Sequence, residues 1–150
     1  MKFKSILSAV LALSLMAVSS PSQQAGEMIT VYKDRSCSCC KNWIAYLQAN
    51  GFKVDVHEVD GTKPYQKQFH VPSNLVSCHT AVVNGYTLEG HVPASEIKKL
   101  LSERPKIQGL SVPGMPVGSP GMEGGQRQTY SVIAFSDGGK TSVYANYPAR

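Results

Sequence analysis

Hydrophobic positions along the first fifty residues change their period twice, and each change predicts a new element. Residues 28–32 are a short β-prone run. A helical period follows, with apolar side chains at i, i+3, i+4 and i+7, namely Cys40, Trp43, Ile44 and Leu47. This spacing predicts a helix that ends at Asn50-Gly51, with Trp43 as a core residue. Alternation between apolar and polar residues over 52–59 then predicts a second strand.

The next fifty residues predict one helix, two strands and a further helix. Lys63-Pro64 is a typical opening for a short helix. Residues 80–83 and 86–89 are β-prone and are joined by Asn84-Gly85, a dipeptide that favours a tight hairpin turn. Pro93 opens a last helix, which ends at Arg104-Pro105. The predicted order is therefore β-α-β-α-β-β-α.

The chain after residue 105 has a different composition. Residues 109–125 are dense in Gly and Pro and contain Pro-Gly-Met twice, which predicts a loop with defined turns. Residues 129–136 and 141–147 flank Asp137-Gly138-Gly139 and predict a β-hairpin packed against the edge of the sheet. We therefore divide residues 27–150 into a domain over 27–104 and a C-terminal extension over 105–150.

The N-terminal segment 1–19 has the features of a secretory signal peptide. Lys2 and Lys4 precede an apolar run over 6–18, and small residues close it. A membrane-spanning helix is the alternative, but the run is shorter than the ~20 residues that a bilayer core requires. Because no cysteine precedes Cys37, a lipid anchor is not expected either. The sequence predicts an exported protein without a membrane anchor.

Overall composition predicts a single globular domain and gives little support for nucleic-acid binding. The chain has 150 residues, of which 42% are hydrophobic and 17% charged. Its net charge of +5 falls to +3 without Lys2 and Lys4. No cluster of Lys and Arg with interleaved aromatic residues is present.

Cysteine spacing gives the main indication of chemistry. Three of the four cysteines lie within Cys37-Ser38-Cys39-Cys40, and the fourth is Cys78. Exported cysteines usually form structural disulfides. Bridges within so short a segment close very small loops and restrict the unfolded chain little. The spacing therefore favours thiol chemistry, binding of a soft metal, or both.

The cysteines also lie at a chemically favourable place in the predicted fold. They cap the N-terminus of the first helix, where the helix dipole favours thiolate over thiol. Cys37 and Cys40 form a C-x-x-C pair on the first βα turn, which points to the thioredoxin fold. Cys78 and His79 stand just before the third strand, where thioredoxin-like proteins commonly have a cis-proline. Four sulfurs could converge there, which favours a site that holds a ligand.

Other candidate ligands are less specific. Met115 and Met122 could fill gaps in an apolar surface, or their thioethers could bind Cu(I), which Cys and Met together select. His79 and His91 are candidates for ligands or for partners of ligands, whereas His57 and His70 are interpreted as solvated. Near these motifs lie two carboxylates, for which an ordinary surface role is the favoured interpretation: Glu89 and Glu123.

Four sequence blocks together resemble the CopG family of exported bacterial copper-resistance proteins. They are Cys37-Ser38-Cys39-Cys40 with Trp43, Ser77-Cys78-His79-Thr80-Ala81, Glu89-Gly90-His91-Val92-Pro93-Ala94, and Pro113-Gly114-Met115-Pro116 with Gly118-Ser119-Pro120-Gly121-Met122-Glu123. The resemblance implies a thioredoxin-like fold with a C-terminal loop and β-hairpin extension. It also implies a multinuclear copper cluster bridged by the cysteines, and Cu(I)/Cu(II) interconversion in the Gram-negative periplasm.

Three classes of function follow. The first is a copper-binding redox protein that uses Cys37 and Cys40 as its redox pair, with copper ions and periplasmic copper efflux or chaperone proteins as partners. The second is a thiol–disulfide oxidoreductase or copper chaperone without metal turnover. The third is a closed zinc or iron–sulfur site, for which three ligands within four residues are poorly spaced. A monomer is expected in each case.

Overall fold

The computed structural model describes residues 26–149 of the 150-residue chain. The predicted signal peptide over 1–19 lies outside the described residues. Within residues 26–149, no helix has the length and apolar character needed to cross a membrane.

Three α-helices and seven strands make up the described chain. In chain order they are β1 (Met28–Asp34), α1 (Ser38–Ala49), β2 (Lys53–Val59), α2 (Lys63–Gln68), β3 (His79–Val83), β4 (Tyr86–Gly90), α3 (Ala94–Glu103), β5 (Gly109–Val112), β6 (Tyr130–Phe135) and β7 (Thr141–Tyr147). The first seven elements confirm the predicted order β-α-β-α-β-β-α.

All seven strands belong to one sheet, in the order β2-β1-β3-β4-β5-β6-β7. The pairs β1–β2 and β4–β5 are parallel, and the other four pairs are antiparallel. The α/β class is therefore confirmed, while the thioredoxin-like assignment stays a prediction. The hairpin β6–β7 pairs with β5 and extends the sheet beyond it, which confirms that the hairpin packs against the edge of the sheet.

One part of the predicted loop is wrong. Residues 109–112 form β5, a fully buried strand that pairs in parallel with β4 and antiparallel with β6. Four residues are too few to show a period, and the surrounding Gly and Pro favoured a loop. The tertiary pairing with β4 on one side and β6 on the other makes these residues a strand.

The helix α1 brings its apolar stripe to the core directly behind its N-terminus. Cys40, Trp43 and Leu47 are fully buried. The Trp43 indole Nε1 donates a hydrogen bond of 3.0 Å to the Val92 carbonyl, which precedes α3. Burial of a side chain as large as leucine contributes about 1.5–3 kcal/mol. This packing fixes the cysteine-bearing end of α1 against the chain around β4 and α3.

Candidate metal centre

Cys37 caps the N-terminus of α1, as the sequence predicts. Its φ/ψ angles are extended, and its Sγ accepts a hydrogen bond of 3.3 Å from the Cys40 backbone N–H. Cys39 and Cys40 lie in the first turn of the helix, which has no acidic residue. The Cys40 N–H and the positive end of the helix dipole therefore both act on the Cys37 sulfur.

Cys78 approaches this helix end from the chain that enters β3. Its Sγ lies 3.0 Å from Cys37 Sγ and 3.3 Å from Cys40 Sγ. The sulfurs of all four cysteines lie within 4.8 Å of one another. The fold thus gathers four soft donors from sequence positions up to 41 residues apart.

Cys37 and Cys40 are joined by a disulfide, and Cys39 and Cys78 are free. The short spacing argues against a structural bridge within this segment, yet the C-x-x-C pair predicted to be redox-active is the pair that is bridged. In this oxidised state two thiols remain, and reduction of the bridge supplies two more. The number of thiolate donors therefore depends on the redox state of the protein.

Met115 is the methionine that the C-terminal extension brings to the cysteines. Its Sδ lies 3.1 Å from Cys78 Sγ and 3.7 Å from Cys39 Sγ. Met115 has φ of 43°, in the left-handed region, which costs a non-glycine residue on the order of 1–3 kcal/mol. Such strain is characteristic of functional sites. No comparable sulfur contact joins Met122 to a cysteine in residues 26–149, so its role as a ligand stays a prediction.

The Gly/Pro-rich loop is seated on α1 through Gly121. Gly121 has φ of 83°, and a Cβ at this position would stand 2.7 Å from the Trp43 backbone nitrogen. Its carbonyl accepts a hydrogen bond of 3.4 Å from Asn42 Nδ2. Only glycine fits both the backbone conformation and the close approach. The loop therefore lies against the same helix that carries the cysteines.

His79 touches the sulfur cluster from the buried side. Its Nδ1 lies 3.2 Å from Cys40 Sγ, and its Nε2 lies 2.9 Å from the Gly90 carbonyl. Burial lowers the pKa of His79 to about 3, with a further contribution from His91. The imidazole is therefore neutral at pH 7. Because Nε2 must donate to the carbonyl, Nδ1 is left as an acceptor that faces sulfur.

His91 lies behind His79 and does not contact a cysteine sulfur. Their rings stack with centroids 5.4 Å apart, and His91 also stacks with Trp43 at 6.4 Å. Both ring nitrogens of His91 are buried without a hydrogen-bond partner, and burial lowers its pKa to about 4. His57 and His70 are exposed, which confirms that they are solvated.

The surface interpretation of Glu89 is wrong, and this is the residue that sequence reasoning missed. Glu89 on β4 is fully buried, and burial raises the pKa of its carboxyl. It receives hydrogen bonds from Ser77, Gln66 and Thr80. The sequence signal for this burial is a charged residue within a predicted strand. The sequence does not show that β4 lies between β3 and β5 in the sheet, which makes β4 an interior strand.

A pocket of about 640 Å³ gives solvent access to the sulfurs. Cys37, Cys39, Cys78 and Met115 line it, together with polar residues such as Asp34, Asp60 and Lys63. Cys40 is fully buried and belongs to the inner side of the cluster. A metal ion or its carrier can therefore reach three of the four cysteines from outside.

The acidity of Cys78 gives a first prediction. Burial, with Cys39 next in effect, raises the pKa of the Cys78 thiol to about 12 in the oxidised form. Since only the thiolate reacts, we expect iodoacetamide to alkylate Cys78 very slowly at pH 7 and about tenfold faster per added pH unit. Peptide mass spectrometry of the metal-free oxidised protein measures this rate. A rate independent of pH between 7 and 10 would contradict the raised pKa.

Fold and site together define a small α/β protein with a cysteine-rich centre suited to a soft metal. A family model described as a protein of unknown function, DUF411, matches residues 75–122. Two solved structures, both named copper resistance protein CopG, share 47% identity with this chain. Form 1 has a TM-score of 0.77 and covers 81% of this chain and 98% of its own; form 2 has a TM-score of 0.78 and covers 82% and 99%. A search of curated proteins gave no match. The chain belongs to the CopG family of copper resistance proteins.

Proposed function

We propose that this protein binds copper at the four-cysteine centre and interconverts Cu(I) and Cu(II) as part of copper resistance. The observation that carries the proposal is the convergence of four cysteine sulfurs within 4.8 Å, with a thioether 3.1 Å from one of them. The names of the related structures supply the metal, because both are copper resistance proteins.

The donor set fits copper better than its competitors. Thiolate and thioether ligands together select Cu(I), while a thioether adds little to zinc. Three of the cysteines also lie in one helical turn, so their sulfurs crowd one side of an ion and leave room for further ions. Sulfurs this close can each serve two metal ions. We therefore propose a multinuclear, cysteine-bridged site with Met115 as an additional ligand.

The C-x-x-C pair supplies a balanced redox step. With Cys37 and Cys40 as thiolates, formation of the disulfide releases two electrons, and two Cu(II) substrate ions each accept one to become Cu(I). A dithiol reductant must restore the thiolates before another round. When the pair is reduced, the neutral His79 ring accepts a hydrogen bond from the Cys40 thiol at Nδ1, which lies 3.2 Å from Cys40 Sγ.

We place this activity in the periplasm, on the basis of the predicted signal peptide over 1–19 and of the family to which the chain belongs. Copper efflux or chaperone proteins of that compartment are the proposed partners. The pocket beside Cys39 is the route by which they exchange copper, because it exposes the sulfur of a free cysteine to solvent.

Metal analysis tests the proposal directly. The mature protein, purified in air and again after reduction, is analysed for copper and zinc by mass spectrometry and for absorption between 250 and 700 nm. We expect more than one copper per chain after reduction and loading with Cu(I), and little zinc. A colourless protein loaded with zinc would overturn the copper assignment.

The disulfide beside a free thiol also supports a second function, thiol–disulfide exchange. Cys78 Sγ lies 3.0 Å from Cys37 Sγ, and the raised pKa of Cys78 makes its thiolate scarce in the oxidised form. We expect the metal-free reduced protein to reduce insulin disulfides only weakly, because Cys78 and His79 stand where thioredoxin-like proteins commonly have a proline that helps to present a peptide substrate. Rapid reduction that persists in a Met115→Leu variant would favour an exchange enzyme over a copper protein.

A further inference from the structure

Glu89 places a carboxylate inside the sheet, behind the segment that carries Cys78. Its Oε1 accepts hydrogen bonds from the Ser77 backbone N–H and from Gln66 Nε2, the second at 3.2 Å. The Ser77 hydroxyl lies 2.9 Å from the same oxygen. Its Oε2 accepts a hydrogen bond of 2.7 Å from Thr80 Oγ1. The residues on both sides of the Cys78–His79 pair are thus bound to one side chain.

Burial raises the pKa of Glu89, but the hydrogen bonds from Thr80, Ser77 and Gln66 oppose that shift and favour the ionised carboxylate. A backbone N–H and an amide NH₂ can only donate, and an ionised carboxylate can only accept. Burial of a charge is tolerated when hydrogen bonds surround it in this way. Glu89 is fully buried, so its negative charge is screened little by solvent.

The same contacts determine where the Cys78 sulfur lies. Thr80 pairs with Glu89 in the register of β3 and β4, so the carboxylate joins the start of β3 to the preceding loop at Ser77. Cys78 is held between these two attachment points. Its sulfur stands 3.0 and 3.3 Å from two other cysteine sulfurs as a result. The Cys78 carbonyl has two further contacts, with the Asp34 backbone N–H at 3.4 Å and with Cys40 Sγ at 3.9 Å.

We propose that Glu89 is a positioning residue of the metal centre: its carboxylate holds Cys78 among the other sulfurs, and its buried charge favours Cu(II) over Cu(I). The inference rests on the proposed copper site. Charges interact strongly in a protein interior of low dielectric constant. Because Cu(II) carries one more positive charge than Cu(I), a nearby negative charge stabilises it more.

Two substitutions separate position from charge. Glu89→Gln keeps the length and removes the charge, so the affinity for Cu(II) falls on the order of tenfold more than that for Cu(I). This raises the reduction potential by about 59 mV for a one-electron couple. Glu89→Asp keeps the charge but is too short to reach both Ser77 and Thr80. It weakens the binding of both oxidation states several-fold and leaves the potential near that of the parent.

Two further variants serve as controls. Thr87→Val changes a buried residue on the same face of β4, two positions from Glu89, and should preserve both affinity and potential. Thr80→Val removes a single donor and keeps the carboxylate, so it tests the positioning role even if Glu89→Gln does not fold. Its expected result is a several-fold loss of Cu(I) affinity at the parental potential.

Potentiometric titration and competition with bathocuproine disulfonate measure these quantities. Parental affinity and potential in Glu89→Gln, together with parental affinity in Thr80→Val, would overturn the proposal. Alkylation of Cys78 in the metal-free oxidised protein separates this failure from that of the proposed function. If the parent binds no copper but Thr80→Val accelerates alkylation, the positioning role stands and the copper function falls. An unchanged alkylation rate in Glu89→Asp and Thr80→Val would overturn the positioning role.

Discussion

Cys78→Ser is expected to lose most of the copper bound by the parent protein. Cys78 lies within 3.0–3.3 Å of two cysteine sulfurs and 3.1 Å from the Met115 thioether, so its sulfur is central to the cluster. If each sulfur bridges more than one ion, removal of one destroys the sites that share it. Copper per chain, measured after loading with excess Cu(I) and desalting, gives the result.

The corresponding changes at Cys37, Cys39 and Cys40 should have comparable effects in a bridged cluster. Ser38→Ala is the matched control, because Ser38 lies between the cysteines and is exposed. It should keep the parental copper content. Near-normal copper in Cys78→Ser would show that the fourth sulfur is outside the site.

Met115→Leu should weaken the binding of Cu(I) while the metal-free protein keeps its stability. The substitution preserves volume and hydrophobicity, at a packing cost usually below ~1.5 kcal/mol. It removes the thioether, which is a soft ligand that favours Cu(I) over Cu(II). We expect the affinity for Cu(I) to fall by about tenfold, or 1.4 kcal/mol. The reduction potential of the Cu(II)/Cu(I) couple should fall as well, because the loss of the thioether weakens Cu(I) binding more than Cu(II) binding. Chelator competition and thermal unfolding measure the two effects.

Met122→Leu is the matched control from the second Pro-Gly-Met turn. Met122 lies in the same loop, but its thioether makes no sulfur contact with the cysteines in the described part of the chain. Because no contact within residues 26–149 places its thioether beside the cysteines, its replacement should lower the affinity for Cu(I) much less than Met115→Leu does. An equal loss in both variants would assign both methionines to the site, whereas no loss in either would make the loop a cover or a partner surface.

Local pattern was sufficient for most elements of the fold. The helical spacing of Cys40, Trp43 and Leu47 predicted α1, and Asn84-Gly85 predicted the turn between β3 and β4. These features depend on residues a few positions apart, which share one element whatever the rest of the chain does. β5 was missed because its strand conformation depends on pairing with β4 and β6 and not on its own four residues.

The candidate site likewise has some features that the sequence determined and others that only the tertiary structure decided. The sequence by itself determined the donor types, the placement of three cysteines at a helix N-terminus, and the preference for a soft metal, since these follow from residue chemistry and short spacing. Only the tertiary structure decided that Met115, and not Met122, reaches Cys78, and that Glu89 is buried behind it. Those contacts join residues 9 to 37 positions apart along the chain. They depend on strand register and on the seating of the loop against α1, which no local periodicity encodes.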